Sequence, residues 1–231
     1  MTKTITKTEH LYDMLDSLLR DEGAFWNSFY EDRNKKIPFF VDSPDENLVN
    51  YVESGIISPG RVLELGCGPG RNAIYLAENG FEVDAVDLSS EGLQWAKERA
   101  AKKGVNVNFI QGNIFKMEFP HHQYDFIYDC GCFHHVPPHR RVSYLHLLNN
   151  SLKDDGHFAI TCFDAEGMGM NVSDEEVYKE RSMKGGLGYT LEKMRDVFAG
   201  FQELELRKMN EIIQPASVFG LPFLWAGLYK K

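Results

Sequence analysis

The sequence predicts an α/β fold, a mostly parallel sheet with helices on both faces. Three observations lead to it. The apolar run Arg61-Val-Leu-Glu-Leu65 enters a loop with glycine at alternate positions, Gly66, Gly68 and Gly70, and then a helix-like stretch. From there to Phe163, strand-like and helix-like segments alternate, the order that produces βαβ units. The length, 231 residues, suits one domain that buries its apolar surface without disulfides or a structural metal. Residues 1–231 therefore read as a single domain, with 1–57 an N-terminal helical and aromatic segment and 58–231 the core.

Ahead of the core, Glu9 to Arg20 carries Leu11, Met14, Leu15, Leu18 and Leu19 at helical spacing. This is an amphipathic helix expected to lie on the body of the protein and to end at Gly23. Ala24 to Arg33 and Ile37 to Val41 are dense in aromatics, Trp26, Tyr30 and Phe39 among them. They form either a satellite hydrophobic cluster or a lid that closes over a ligand and keeps out water. Asp45 to Ser54 is a short helix, with Leu48, Val49 and Val52 on one face and Gly55 beyond its end.

In the core, the first strand is followed by a helix over Asn72 to Asn79, stopped by Gly80, and a second strand over Phe81 to Asp87. Ser89 or Ser90 caps the next helix, which turns Leu93, Ala96 and Ala100 inward and stops at Gly104. Val105 to Gly112 is the third strand, and the run from Gln123 to Tyr144 opens with the fourth. Pro137 and Pro138 open a helix carrying Leu145 and Leu148 inward. Asp154-Asp155-Gly156 reads as a turn before a fifth strand, His157 to Phe163. Asp164 to Gly188 is too polar and glycine-rich for the core, and is expected to be a flap on the substrate side. Thr190 to Phe198 is a capped helix, and Phe201 to Met209 and Pro222 to Lys231 alternate as a terminal hairpin.

The glycine loop narrows the chemistry. Glycine is needed where the backbone takes positive φ, and where a side chain would hold the main chain away from a ligand, so the loop reads as a nucleotide-cofactor turn. A dinucleotide fingerprint needs a third glycine where this chain has Arg71, and no Gly-Lys-Ser/Thr follows to make a phosphate loop. Asp87 ends the second strand about 20 residues past Gly66, where an acidic side chain accepts both ribose hydroxyls of an adenosine. What remains, Glu64-x-Gly66-x-Gly68-x-Gly70, resembles the first motif of the class I S-adenosylmethionine (SAM) methyltransferases. That resemblance implies SAM as cofactor, S-adenosylhomocysteine as product, and a Rossmann-like seven-stranded sheet with one antiparallel strand. Glu64, Gly66, Cys67, Gly68, Gly70, Asp87 and Leu88 are then the expected cofactor contacts on the first two strands. Asn113, with Ile114, follows on the third, where many members have Asp, and either side chain accepts from the adenine amino group.

Ligands of open parallel sheets sit beyond the carboxyl ends of the strands, which brings Asp129 to His135 to the transferable methyl. Asp129, Gly131, Phe133, Pro137, Pro138, Arg141 and Tyr144 reproduce a D-x-G-x-F…P-P-x-x-R-x-x-Y pattern similar to the thiopurine, thiol and halide methyltransferases. Gly112-Asn-Ile-Phe115 and the aromatic N-terminal segment fit the same group. Bacterial tellurite-resistance methyltransferases share the L-G-C-G-x-G-R-N run. Asp129, beside Cys130, is expected to hold the cofactor's amino group or to orient a substrate.

The acceptor implied is a small molecule with a soft nucleophilic atom such as a thiol or halide, and Trp26, Tyr30 and Phe39 face it from the lid. Methyl transfer is an in-line displacement that needs mainly contact and alignment. A hydroxyl or amine acceptor would also need a base, for which His134 and His135 are the candidates. An O- or N-methyltransferase, or a SAM-binding protein without transfer activity, are the alternatives. Cys67, Cys130, Cys132 and Cys162 gather toward one end of the sheet, but Cys130-x-Cys132 is not a zinc-knuckle spacing, and no metal is expected. The net charge of −9 and a pI of about 5.4, with no Lys/Arg cluster, disfavour nucleic acid. Met1 to His10 lacks an apolar leader region and no run is long enough to span a bilayer, so no membrane association and a cytoplasmic location are expected.

Overall fold

A computed structural model of the chain describes residues 4–231, and the first three residues of the polar Met1–His10 stretch fall outside them. The two-residue period of a strand sets the centre of the fold. In β1 (Arg61–Leu65), Leu63 and Leu65 join one core cluster and Val62 the other. The first cluster continues through β4 (Tyr124–Cys130) and β5 (Leu152–Phe163) with Ile127, Phe158 and Ile160. It packs on α6 (Arg141–Ser151) and α8 (Leu191–Val197) through Tyr144, Leu148 and Met194. The second takes Val83 and Ala85 from β2 (Glu82–Asp87) and packs on α3 (Glu46–Glu53) and α4 (Arg71–Glu78) through Leu48, Tyr51, Ala73 and Leu76. Each large apolar side chain so buried contributes roughly 1.5–3 kcal/mol. The sheet, covered on both faces, is therefore the rigid part of the molecule.

With β3 (Asn108–Gln111), β6 (Gln202–Lys208) and β7 (Leu224–Lys230), the strand order is β3-β2-β1-β4-β5-β7-β6. The sheet is mixed. Parallel pairing holds from β3 to β5, and the expectation of a mostly parallel sheet is corrected at the other edge, where β7 runs antiparallel to both β5 and β6. No crossover helix separates β6 from β7, and without one a strand returns antiparallel. The loop before α4 and α5 (Ser90–Lys103), and the turns after β3 and β4, all fall at the carboxyl edge of this sheet.

Four expectations need correction. The first helix, α1, covers only Thr8–Asp16, and Gly23 does not end it. Gly23 lies inside α2 (Glu22–Glu31), because the Asp21 side chain caps that helix by accepting from the Ala24 N–H at 3.0 Å. Nor does α1 lie on the body by its apolar face, since Leu11 and Met14 are exposed. Its acidic side is held instead. Buried Arg140 reaches Asp16 (2.5 Å) and Glu9, Lys116 reaches Asp13 (2.7 Å) and Glu9, and the His139 ring bridges Asp16 (2.8 Å) to Tyr178 (2.7 Å). Asp154-Asp155-Gly156 is an irregularity within β5, with Asp155 at φ 65° and the pairing to β4 slipping between Tyr124 and Phe126. Finally, the 164–188 stretch is packed, not loose: it contains α7 (Asp174–Glu180), opened by a reciprocal Ser173–Glu176 cap, and buries Val177, Met183 and Leu187 in the first core cluster.

Behind the glycine loop lies a buried polar network that no periodicity announces. Arg71 places its guanidinium 2.5 Å from the Asp45 carboxylate, an ion pair with both side chains buried. Arg71 also donates to the Ser43 carbonyl (3.0 Å) and stacks on Phe219 (4.3 Å). Asp45 accepts in addition from the Tyr128 hydroxyl (2.6 Å) and the Asn72 amide (3.1 Å), and its own N–H donates to Asn72 (2.9 Å). Removing one partner of a buried pair leaves the other charge uncompensated. Arg71→Met is expected to lower unfolding stability by about 3–5 kcal/mol, and Asp45→Asn by less, because the amide keeps its neutral partners. Urea denaturation of the three proteins checks both the size and the order.

Candidate cofactor and acceptor site

The loop from β1 to α4 brings three chain segments together because it lacks side chains. Gly66 has φ +67°, and a Cβ there would meet the Cys132 Cβ at 2.6 Å. Gly68 has φ +49°, and a Cβ there would meet the Tyr30 hydroxyl at 2.6 Å. A methyl at either position would push away the turn after β4 or helix α2. Gly70, also left-handed, precedes α4 as its capping residue. Cys67 is buried in the same turn, its N–H bonded to Val86 and its carbonyl to Gly70.

Asp87 fixes the loop from β2. One carboxylate oxygen accepts from the Gly68 N–H at 2.7 Å and the other from the Ser89 N–H at 2.8 Å, while Ser89 caps α5. Burial pushes the Asp87 carboxyl up, and the backbone N–H groups oppose that. Glu64 is more strongly affected. Its side chain is 1% exposed, one oxygen has no partner, and burial pushes its pKa up to about 8 against the pull of the Arg71 charge. A buried carboxyl with an unfilled acceptor beside a left-handed glycine loop fits a ligand that brings a cationic amine, as SAM does.

On the other strands the expected residues divide. Leu88 and Ile114 are half-buried flanking side chains, and Ile114 packs against the first core cluster. Asn113 is exposed, and its side-chain oxygen accepts from the Phe115 N–H at 2.9 Å, closing its own turn. Asp129 is fully buried: one oxygen accepts from the Cys132 and Phe133 N–H groups (2.9 and 3.1 Å), and the other from the Tyr144 hydroxyl (2.7 Å). Burial pushes its pKa up to about 7. These contacts make Asp129 the brace of the turn after β4, with no oxygen left without a partner. Cys130 accepts from Arg71 at 3.1 Å and so belongs to the network behind the loop.

The two histidines, equivalent in sequence, are not equivalent in space. His134 is buried, stacks on Phe163 at 3.8 Å, and its Nδ1 accepts from the Phe163 N–H at 3.2 Å. Burial, then His135, holds its pKa well below the ordinary histidine value. His135 faces Trp26 edge-on at 4.8 Å; its Nδ1 is buried without a partner, and burial with the Arg20 charge lowers its pKa to about 3. Trp26 also stacks on Tyr30 (5.9 Å), and Phe29 joins Tyr30 to Phe39 (5.3 and 6.0 Å). The aromatic segment thus lies from the glycine loop to the turn after β4. Among the described residues no group of three or more His, Cys, Asp or Glu side chains is arranged to hold a metal.

Several contributors escape sequence reasoning. Arg71 and Asn72 carried a signal in the shared Gly-x-Gly-Arg-Asn run, but their partner Asp45 lies outside it. Cys132 is recognisable only through its approach to Gly66. Arg20 and Glu22, which stand beside Trp26 and His135, have no motif at all.

Residues 62–156, from β1 into β5, match the methyltransferase domain family. The chain is 28% identical to 2-heptyl-1-hydroxyquinolin-4(1H)-one methyltransferase of Mycobacteroides abscessus, over 68% of this chain and 66% of that protein. It spans only 60% and 52% of other curated methyltransferase relatives. In structure it is similar to Burkholderia thailandensis 1,6-didemethyltoxoflavin-N1-methyltransferase holding S-adenosylhomocysteine, with a TM-score of 0.68 and 20% identity over 100% of this chain and 93% of that one. It is similar too to a structure concerned with conversion of a disulfide bond into a thioacetal group during echinomycin biosynthesis, with a TM-score of 0.73 and 22% identity over 91% and 92%. The matched segment is that of a methyltransferase domain, and the fold is the one shared with these structures, SAM-dependent methyltransferases among them. No helix among the described residues is long and apolar enough to cross a membrane.

Glu64 gives this site a pH signature. Its folded pKa of about 8 lies above the ordinary value of 4.5, so between these limits the folded protein holds a proton that the unfolded chain releases. Stability of the ligand-free protein is therefore expected to fall as pH rises from about 5 to 8, by an amount on the order of a few kcal/mol. Asp129 adds to the slope below pH 7. Glu64→Gln should flatten the upper part of the curve, as read from denaturation midpoints across this range.

Proposed function

We propose that this protein transfers a methyl group from SAM to a small-molecule acceptor that reaches the site already anionic, a thiolate or similar soft nucleophile. The observation that carries this reading is that neither histidine of the turn after β4 serves as a base. His134 has its Nδ1 lone pair on the Phe163 N–H, and His135 is far too weakly basic at a pKa of about 3. A general base works best with a pKa near the operating pH, and neither imidazole meets that condition. A polarizable anion needs no proton removed and loses less on leaving water than a hard oxyanion.

Bound SAM supplies an electrophilic methyl on a sulfonium centre. The chain's own residues hold and align it: the Gly66–Gly70 loop by close approach, Asp87 toward the ribose, Glu64 toward the amine, and Leu88, Asn113 and Ile114 along the adenine side. Trp26, Tyr30 and Phe39 act as the lid, a reading supported by the packing of Tyr30 on Gly68 and Gly92. Alignment of donor and acceptor under a dry cover accounts for as much as about 7–11 kcal/mol of barrier lowering in such displacements.

A second reading follows from the aromatic walls, Trp26, His135 and Phe163, and from the heteroaromatic compounds that two of the similar proteins are named for. There the acceptor is an acidic hydroxyl or ring nitrogen of a flat heterocycle, again ionised before it binds. The echinomycin structure, concerned with a change at sulfur, supports the first reading.

Release of S-adenosylhomocysteine is the test, measured with thiols, halides, phenols and hydroxylated heteroaromatics. Thiolates are expected to turn over, and His135→Gln to keep activity within a few-fold of the parent at neutral pH. A hundredfold fall in that variant, with activity only on phenols or amines, would establish general-base catalysis instead. Asp87→Ala should weaken binding of SAM and S-adenosylhomocysteine by about 1.5–3 kcal/mol in calorimetry, since a charged acceptor is lost.

A further inference from the structure

The α1–α2 junction places one cation beside the acceptor side of the site. Arg20 forms a two-point pair with Glu22, at 2.7 and 3.0 Å, and its third donor reaches the Lys184 carbonyl at 3.5 Å. Its guanidinium lies 3.6 Å over the Phe25 ring. Glu22 is shared: the same carboxylate accepts from the Trp26 indole at 3.0 Å, and Trp26 in turn touches the His135 ring. The order Arg20, Glu22, Trp26, His135 thus runs inward from a seam between the lid and the 164–188 stretch. Arg20 and Glu22 remain 32% and 20% exposed, so water and solutes reach them.

This arrangement bears on an anion approaching a chain of net charge −9. Such a protein repels anions in general, and a local cation is needed at the entrance to admit one. His135 does not provide it, being neutral, while a guanidinium fork matches a planar anion in two-point geometry. A partly exposed Arg–Glu pair is weak enough to exchange partners. Glu22 keeps the Trp26 indole if Arg20 leaves it, so the exchange strands no buried group.

Resting on the methyltransferase reading above, we infer that Arg20 is a specificity-determining residue that receives a planar anionic group of the acceptor, such as a carboxylate, apart from its nucleophilic atom, exchanging Glu22 for it, and that Glu22 competes with that group. Two neighbouring variants should therefore act in opposite directions. Arg20→Gln removes the receiving charge. Glu22→Gln keeps an oxygen for Trp26 but releases Arg20.

The test uses the full chain loaded with S-adenosylhomocysteine, and compares benzoate with benzamide, two flat probes of similar shape that differ in charge, by calorimetry. Binding of S-adenosylhomocysteine itself is measured first in all three proteins; its failure in the parent overturns the methyltransferase reading, and with it this inference. With that binding intact, benzoate is expected to bind at least tenfold tighter than benzamide to the parent. That preference should vanish in Arg20→Gln and grow several-fold in Glu22→Gln, with benzamide affinity unchanged in all. With a turned-over thiol that also carries a carboxylate, the same variants should raise and lower KM respectively while kcat stays within twofold. Equal benzoate and benzamide affinity in the parent, an unchanged preference in Arg20→Gln, or a shift of both variants in the same direction overturns the inference.

Discussion

The ion pair between Asp45 and Arg71 is the contact on which the rest of the site depends. Arg71 is the first residue of α4, immediately after the last loop glycine, and Asp45 is the residue immediately before α3. Their contact, shared with Tyr128 on β4 and Asn72 on α4, fixes where the loop ends relative to the N-terminal segment and the sheet. A buried pair is not a strong source of stability, because both ions lose water. Its value here is positional: the charges are satisfied in one arrangement of three elements, and a shift of any of them leaves an ion without its partners. The same two groups act on Glu64, Arg71 favouring its charge and Asp45 opposing it. The electrostatics of the cofactor side are thus set from behind the loop.

The molecule is held together in two different ways, and the division follows function. The sheet and its helices are fixed by apolar burial on both faces. The stretch before α3 is tied to the body by polar contacts as well as by its rings: Arg140 with Asp16, Lys116 with Asp13, Arg33 with Glu98, and Arg99 with Asp42 and the Phe40 carbonyl. Pairs with one partner at the surface are individually weak and screened by salt. On the lid reading proposed above, such attachment would let the aromatic segment open at less cost than any strand. The contact of Tyr30 with Gly68 and Gly92 is where the two modes meet, an aromatic ring resting on backbone that carries no side chain.

Most of the core was legible because its signals are local. The glycine loop, the alternation in the strands, and the Ser89 and Thr190 caps each lie within a few residues of the element they define. What was not legible is what depends on contacts distant in sequence. The spacing of Leu11 and Met14 suggested an apolar docking face, but the acidic residues on the same helix found Arg140, His139 and Lys116, more than a hundred residues away. The 164–188 stretch read as a flap outside the core from its glycines and polar residues, yet Val177, Met183 and Leu187 are enough to anchor it there. Composition averaged over a segment conceals three well-placed side chains. For the site, residue type and position identified Asp129 and the histidines, but not where their lone pairs are directed, and that direction changes their chemistry.

The turn after β4 shows why this matters. Its ionisable side chains hold the turn in shape: Asp129 takes two N–H groups and a tyrosine hydroxyl, and His134 takes the N–H of Phe163 while its carbonyl accepts from Leu187. A group so used is held rigidly, and the polar atoms engaged in that bonding are not available to the reacting molecule. The turn therefore presents mainly rings and a neutral imidazole to whatever lies against it, and the Nδ1 of His135 is buried there without a partner. A surface of this kind selects by shape and by charge brought in from outside, and the lid's Arg20 is the group placed to answer that charge. On the proposed reading, selectivity for the acceptor resides at Arg20 and Glu22, where the N-terminal segment meets Lys184, apart from the glycine loop. Substitutions at those two positions touch no residue of that loop, which is a physical basis on which a single fold can keep its methyl donor while exchanging acceptors.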